Sequence, residues 1–208
     1  KKDDGFVKRL DDSKRLCAEF FEVAGIETWG VAGYECDDLI AKAVSVYTLD
    51  PCHTRQGVVR RVVVKSNDSD LFQVLDFETR GTDVVIARGT KDIPTMDAKT
   101  FTKLYGISPW QWPWCAALAG SHNGIPGLPG VGLKTALKIV RKNSMLQEYR
   151  KEHPILEKYF KLCSLPYDEV LSHPPVPGKF HARRAEQWLT RKGIQIGPVL
   201  GKAFEALV

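Results

Sequence analysis

Two groups of carboxylates and one lysine-bearing glycine segment are the parts of this sequence equipped for chemistry. The first group is Glu35-Cys36-Asp37-Asp38 and the second is Asp68-Ser69-Asp70. Carboxylates held close repel one another, and a hard divalent ion such as Mg2+ or Mn2+ relieves that repulsion. An ion of this kind lowers the pKa of coordinated water and offsets charge on phosphate oxygens. Asp37 and Asp38 are adjacent, so both reach one ion only from a helix start or a tight turn. Asp68 and Asp70 are spaced so that a turn aims both at one crevice. Taken singly, Asp37 reads equally well as a helix N-cap and Asp68 to Asp70 as a solvated turn.

The glycine segment runs from Gly124 through Ile125-Pro126-Gly127 and Gly130-Val131-Gly132 to Leu133-Lys134-Thr135-Ala136. Gly130 and Gly132 permit close backbone approach to a phosphate. A helix starting near Leu133 offers unpaired N–H groups and the positive end of its dipole. Lys134 and Lys138 fall on one face of that helix, and Arg141 and Lys142 extend the charge. Such a surface grips a sugar-phosphate backbone without reading bases. The spacing is not that of a Walker loop, because Leu133 intervenes between Gly132 and Lys134. The plain alternative is a Pro/Gly-rich turn between helices.

These groups need elements to position them. Helical spacing predicts a helix over 13–25, with Gly25 as its stop, and 26–32 reads as a short strand. A helix is expected from Asp37 or Asp38 to about Tyr47, a surface loop over 50–57 and a Val-rich strand over 58–65. A helix over 71–75 and a strand over 82–87 follow. From Asp97 onward the pattern is helical: 97–105, 109–119, 134–142 and 145–163, with a loop over 124–132. Residues 172–178 are irregular, and short helices close the chain over 183–192 and 199–207. Strand–helix alternation predicts an α/β fold, a central mostly parallel sheet flanked by helices with a C-terminal helical lobe. Ligands in such sheets gather at the carboxyl ends of strands, which would bring both acidic groups into one crevice.

The 208 residues suffice for a compact domain with a core, and 43% hydrophobic and 26% charged residues are ordinary for a globular protein. No apolar run is long enough to span a bilayer, and Lys1 to Gly5 holds no signal core, so an intracellular, cytoplasmic protein without membrane contact is expected. Five scattered cysteines without CxxC spacing argue for reduced thiols rather than a disulfide framework or a zinc site. The net charge of +5 is uneven: residues 130–208 hold 14 Lys/Arg against 7 Asp/Glu, and residues 1–129 hold 16 against 18. A basic second half beside an acidic first half suits a polyanion led to a metal centre.

Four motifs resemble the 5′-nuclease superfamily of flap endonucleases, phage 5′–3′ exonucleases and the 5′-nuclease domain of bacterial DNA polymerase I. They are Tyr34-Glu35-Cys36-Asp37-Asp38-Leu39, Ser66-Asn67-Asp68-Ser69-Asp70-Leu71, Tyr105-Gly106-Ile107 with Pro109 and Gln111, and Ile125-Pro126-Gly127 through Ala136. Order and spacing match from about residue 10 to the C-terminus. The resemblance implies a Mg2+- or Mn2+-dependent exonuclease or flap endonuclease acting on DNA with 5′ ends, flaps or branches. It implies a PIN-like metal-centre portion over 1–96 and a helical lobe over 97–208. The lobe would carry a helix–three-turn–helix at about 115–142, with K+ held by backbone carbonyls. Glu35, Asp37, Asp38, Asp68 and Asp70 become the expected catalytic and metal residues. Gly130, Gly132, Lys134, Thr135, Lys138, Arg141 and Lys142 become the expected DNA contacts. A monomer in the cytoplasm of a bacterial or phage-infected cell is the matching setting.

Two departures stand out. The family places carboxylates just before Ile-Pro-Gly, where this chain has Gly120-Ser121-His122-Asn123-Gly124, and it often has Asp where Trp114 stands. A weak or absent second metal site follows, and with it an alternative function: a non-catalytic, structure-specific DNA-binding protein. The family also opens with Asp-bearing strands and a basic arch, none of which precedes Lys1, so upstream sequence or a partner chain is expected to supply them.

Overall fold

In the computed structural model the described residues are 4–49, 61–77, 82–89, 95–121, 124–166, 174 and 178–195. They form a mixed α/β structure, rich in helix, with a small sheet. The helices are α1 (Asp4–Ala24), α2 (Cys36–Leu49), α3 (Ala98–Tyr105), α4 (Trp112–Ala119), α5 (Leu133–Arg141), α6 (Asn143–Glu152), α7 (Ile155–Cys163) and α8 (Ala182–Arg191). The strands are β1 (Arg61–Lys65), β2 (Asp83–Ala87) and β3 (Thr95–Met96), and Asp70–Phe77 and Pro109–Gln111 are 3₁₀ helices. The chain falls into two compact units, residues 30–174 and a second made of 1–29 with 175–208. The boundary expected at 96/97 lies inside the first of these.

In the larger unit β1 pairs parallel to β2, with Arg61 opposite Asp83 and Lys65 opposite Ala87, and β2 pairs antiparallel to β3. Among the described residues the sheet has three strands with one parallel and one antiparallel pairing, so it is mixed rather than mostly parallel, and its short third strand, Thr95–Met96, was not expected. No strand forms over 26–32; that stretch has no regular structure and ends in a turn, where the Tyr34 N–H donates to the Val31 carbonyl at 3.2 Å. An extended segment becomes a strand only when a neighbour takes its backbone hydrogen bonds. The helix expected over 71–75 is a longer 3₁₀ segment, and the one expected over 145–163 is two, broken at His153 and Pro154. The helix expected over 109–119 begins instead as a 3₁₀ turn. The expected helix over 199–207 and the loop over 50–57 lie outside the described residues.

The core positions the site. Val64, Val84, Ile86, Leu71, Phe72, Val74 and Leu75 are buried together. Phe72 meets Phe101 edge-on at 5.5 Å between centroids and Trp112 at 5.2 Å, and Tyr105 stacks tilted against Phe101 at 4.8 Å. Each such ring pair adds about 0.5–1.5 kcal/mol beyond area burial, so the 3₁₀ helix that begins at Asp70 is anchored against α3 and α4. Helix α3 has clean signals at both ends. The Asp97 carboxylate accepts from the Thr100 N–H at 2.6 Å, and Gly106 closes the helix at φ 66°. Those hydrogen bonds from Thr100 also hold the Asp97 carboxyl below its usual range.

In the other unit α1 and α8 pack through Ala24, Ala182, Ala185 and Leu189, flanked by Phe20 and Trp188 with rings 5.5 Å apart. Gly25 ends α1 at φ 70°, and a side chain there would collide with the Lys179 carbonyl. The exposed Lys192–Glu19 pair at 2.9 Å contributes little by itself.

Candidate metal centre and nucleic-acid interface

The carboxyl end of β1 carries the second acidic group, and a chain of local hydrogen bonds shapes it. The Ser66 N–H donates to the Ala87 carbonyl at 3.2 Å, continuing the β1–β2 pairing one residue further. The Asn67 side-chain oxygen accepts from the Gly89 N–H at 2.7 Å. The Ser66 hydroxyl oxygen accepts from the Asp68 N–H at 3.0 Å, and the Asp68 carboxylate accepts from the Asp70 N–H at 3.0 Å. Short polar side chains thus replace strand pairing with a tight turn, as Ser, Asn and Asp do. Asp70 then opens the 3₁₀ helix.

The first acidic group opens α2, with Asp37 and Asp38 in its first turn, where the helix dipole favours negative charge. Asp38 is buried, at 7% exposure, whereas Glu35 is exposed and Asp37 lies between. A cavity of about 280 Å³ lies between the two groups. Glu35, Asp37, Asp38 and Asp70 line it, together with Ser121, Ile125 and the C-terminal end of α7. Asp68 is not in the lining, but its charge reaches the site. Burial pushes the Asp37 carboxyl above its usual range, and Asp68, Asp70, Glu35 and Asp38 push it further in that order. All five carboxylates singled out in the sequence therefore meet in one region. Among the described residues no three His, Cys, Asp or Glu side chains stand close enough to hold a metal ion as they are placed. The donor chemistry nonetheless suits a hard cation: four carboxylates line one open cavity and the charge of a fifth, Asp68, reaches it.

Other residues in and near the cavity were not legible as site residues. Cys163 reads as a bland thiol in the sequence, but it borders the carboxylates. Burial and the Asp70 charge push its thiol up to about 12, so it stays protonated at neutral pH and offers no thiolate to a soft metal. Gln73 is a lone polar residue in the apolar run Leu71–Leu75, which was its one sequence signal. It is buried at 6% exposure and bonded to three backbone groups. Trp114 packs in the core, stacked on Phe160 at 4.0 Å with the Arg150 guanidinium 4.7 Å over its face. His122 and Asn123 lie outside the described residues.

The glycine segment is tied to α4. The Leu128 N–H donates to the Leu118 carbonyl at 2.8 Å, and the Ser121 N–H to the Ile125 carbonyl at 2.9 Å. Gly127, at φ 67°, passes so close to Gly120 that a side chain would strike the Gly120 nitrogen. Gly130 and Gly132 face open space instead. Gly132 caps α5 without a side-chain hydrogen bond. Lys134, Thr135, Lys138 and Arg141 are exposed on that helix, and Lys142 is exposed just past its end. Arg141 also has a structural contact: its Nε donates to the Tyr105 carbonyl at 3.0 Å, at the end of α3. A second cavity of about 150 Å³ is lined by Leu133, at the start of α5, and by Asp70 and Ser121, which also line the first. The acidic cavity and the start of the basic helix are therefore neighbours.

No family model matches this sequence. It is 33% identical over 133 residues to DNA polymerase I of Mycobacterium leprae, a match covering 64% of this chain and 14% of that protein. It is 29% identical over 153 residues to a 5′-3′ exonuclease of Halalkalibacterium halodurans, covering 73% of this chain and 47% of the relative. The chain thus spans less than half the length of these relatives. Two solved structures share the fold. T5 5′-exonuclease, solved with divalent zinc ions bound, gives a TM-score of 0.56 at 19% identity, covering 97% of this chain and 67% of the other. The catalytic core of Rad2, solved in complex with a DNA substrate, gives 0.54 at 15% identity, covering 95% and 70%. By sequence and by fold, this chain is a relative of the 5′-nuclease superfamily, matched over part of those proteins' length.

Proposed function

We infer that this chain carries the metal centre and duplex-binding segment of a divalent-metal-dependent 5′-nuclease. It would cleave phosphodiesters of DNA with 5′ ends, flaps or branches. The observation that carries this reading is the cavity walled by Glu35, Asp37, Asp38 and Asp70, two acidic groups distant in the chain, where burial and the neighbouring carboxylates push Asp37 up. A folded protein tolerates such a cluster readily when a cation offsets it. Asp37, Asp38, Asp70 and Glu35 would hold Mg2+ or Mn2+ from the cavity wall, with Asp68 contributing charge from behind. The bound ion would supply a water-derived nucleophile and offset charge at the scissile phosphate.

The chain's own residues do the rest. Gly130, Gly132 and the uncapped start of α5 would present backbone N–H groups to a phosphate, and Lys134, Thr135, Lys138 and Lys142 would follow the strand. In this reading residues 115–142 act as a helix–three-turn–helix, with a K+ on its loop carbonyls, and hold the duplex beside the acidic cavity.

Cleavage of an end-labelled 5′-flap duplex in Mg2+, comparing the wild type with Asp70→Ala, tests the assignment. Loss of cleavage in the variant supports it, and equal cleavage by both proteins refutes it. A second reading is favoured by one observation: among the described residues no three donors are grouped at ligating distance. In that reading the chain binds branched DNA without turnover. Salt-dependent flap binding by a wild type that never cleaves, in Mg2+ or Mn2+, identifies it.

A further inference from the structure

We propose that Gln73 is the positioning residue of the carboxylate centre, clamping the Asp70 backbone to the far wall of the cavity. This inference rests on the metal reading above. Its side-chain NH2 donates to the Asp70 carbonyl at 2.8 Å and to the Cys163 carbonyl at 3.0 Å. Its side-chain oxygen accepts from the Leu165 N–H at 2.8 Å. One amide thus joins two segments at least 90 residues apart in sequence. One is the first turn of the 3₁₀ helix, which carries Asp70; the other is the end of α7 and the residues just after it, of which Leu162, Cys163 and Leu165 line the same cavity.

The geometry leaves the amide little freedom. Gln73 is buried between Phe72 and Val74, both buried too, so no solvent replaces a lost bond. Helix α7 ends at Cys163, and a helix end leaves its last carbonyls without intrahelical partners. Gln73 satisfies one of them. It therefore does for α7 what a cap does, while fixing where Asp70 stands relative to that wall. Residues that orient ligating groups from behind commonly change metal affinity by roughly tenfold to a hundredfold when removed.

The test uses the full chain and Mn2+ as the probe, counting free Mn2+ by electron paramagnetic resonance, with amide hydrogen exchange as a second readout. Gln73→Met keeps the volume and removes all three bonds. The expected result is faster exchange at Leu165 and Mn2+ affinity weaker by roughly tenfold or more. The loss should be non-additive with Asp70→Asn, because both act on one ligand. Should Gln73→Met fail to fold, Gln73→Asn shortens the side chain so that it no longer reaches Cys163 and Leu165, adds no charge, and the same comparison applies. Unchanged or merely additive Mn2+ affinity in the Gln73 variant, with binding measurably weakened in Asp70→Asn, overturns the Gln73 role and leaves the metal centre standing. Asp37→Asn and Asp70→Asn both binding Mn2+ like the wild type overturns the metal centre, and the Gln73 role with it.

Discussion

Asp68, at the end of β1, raises the carboxyl of Asp37, at the start of α2, more than any other charge near it does. The residues are 31 positions apart in the chain, and between them run a helix and a strand of the sheet. Their approach is a tertiary fact, and it makes the metal-free protein sensitive to pH.

Asp37→Asn should stabilise the metal-free protein at neutral pH. The Asp37 carboxyl titrates above its ordinary value of 3.8, so the folded state binds its proton more tightly than the unfolded state does. Stability from this group is then present at low pH and is lost as pH rises from the ordinary value through the raised one. The variant has no such loss. In EDTA its melting midpoint should exceed the wild type's by a small amount, on the order of 1–2 °C, since the partly exposed group is screened. The gap should close below about pH 4. Saturating Mn2+ should reverse the order. Thermal melts across pH with and without the ion check all three outcomes.

Gly127→Ala and Gly132→Ala should part company. At Gly127 the backbone has φ 67°, and an added Cβ would run into the Gly120 nitrogen and lie 2.8 Å from the Leu118 carbonyl oxygen. The expected cost is at least about 2 kcal/mol in urea unfolding, from strain and lost packing together. At Gly132 nothing lies within 4 Å and φ is −89°, so stability should hold within about 0.5 kcal/mol. Equal destabilisation by the two would contradict the close approach of the glycine segment to α4.

The cations of α5 should also separate. Lys134→Ala and Lys138→Ala each remove an exposed charge and should each lower the salt slope of duplex binding by about 1, leaving the melting midpoint unchanged. Arg141→Ala removes the donor to the Tyr105 carbonyl and should cost about 1 kcal/mol of stability. Salt titrations of duplex affinity beside chemical unfolding distinguish the two behaviours.

Several elements were legible because their cause is local. Asp97 before an apolar-periodic run and Gly106 after it bound α3 within one residue of expectation. The Val-rich run marked β1, and Gly132 marked the start of α5. The strand expected over 26–32 was misread because its residues suit an extended chain, and strand formation depends on a neighbour that local sequence does not specify. Arg141 reads in the sequence as one more phosphate contact; only packing shows it closing α3 as well.

By itself, the sequence determined the carboxylates, the glycine segment, the lysines of α5 and the helices and turns that carry them, because capping, turn chemistry and periodicity act over a few residues. The tertiary structure alone decided that Asp37 lies in the field of Asp68, that Gln73 binds α7, and that the acidic cavity adjoins the start of α5. Those relationships join segments far apart in the chain, and close packing of the core sets the distances on which they depend.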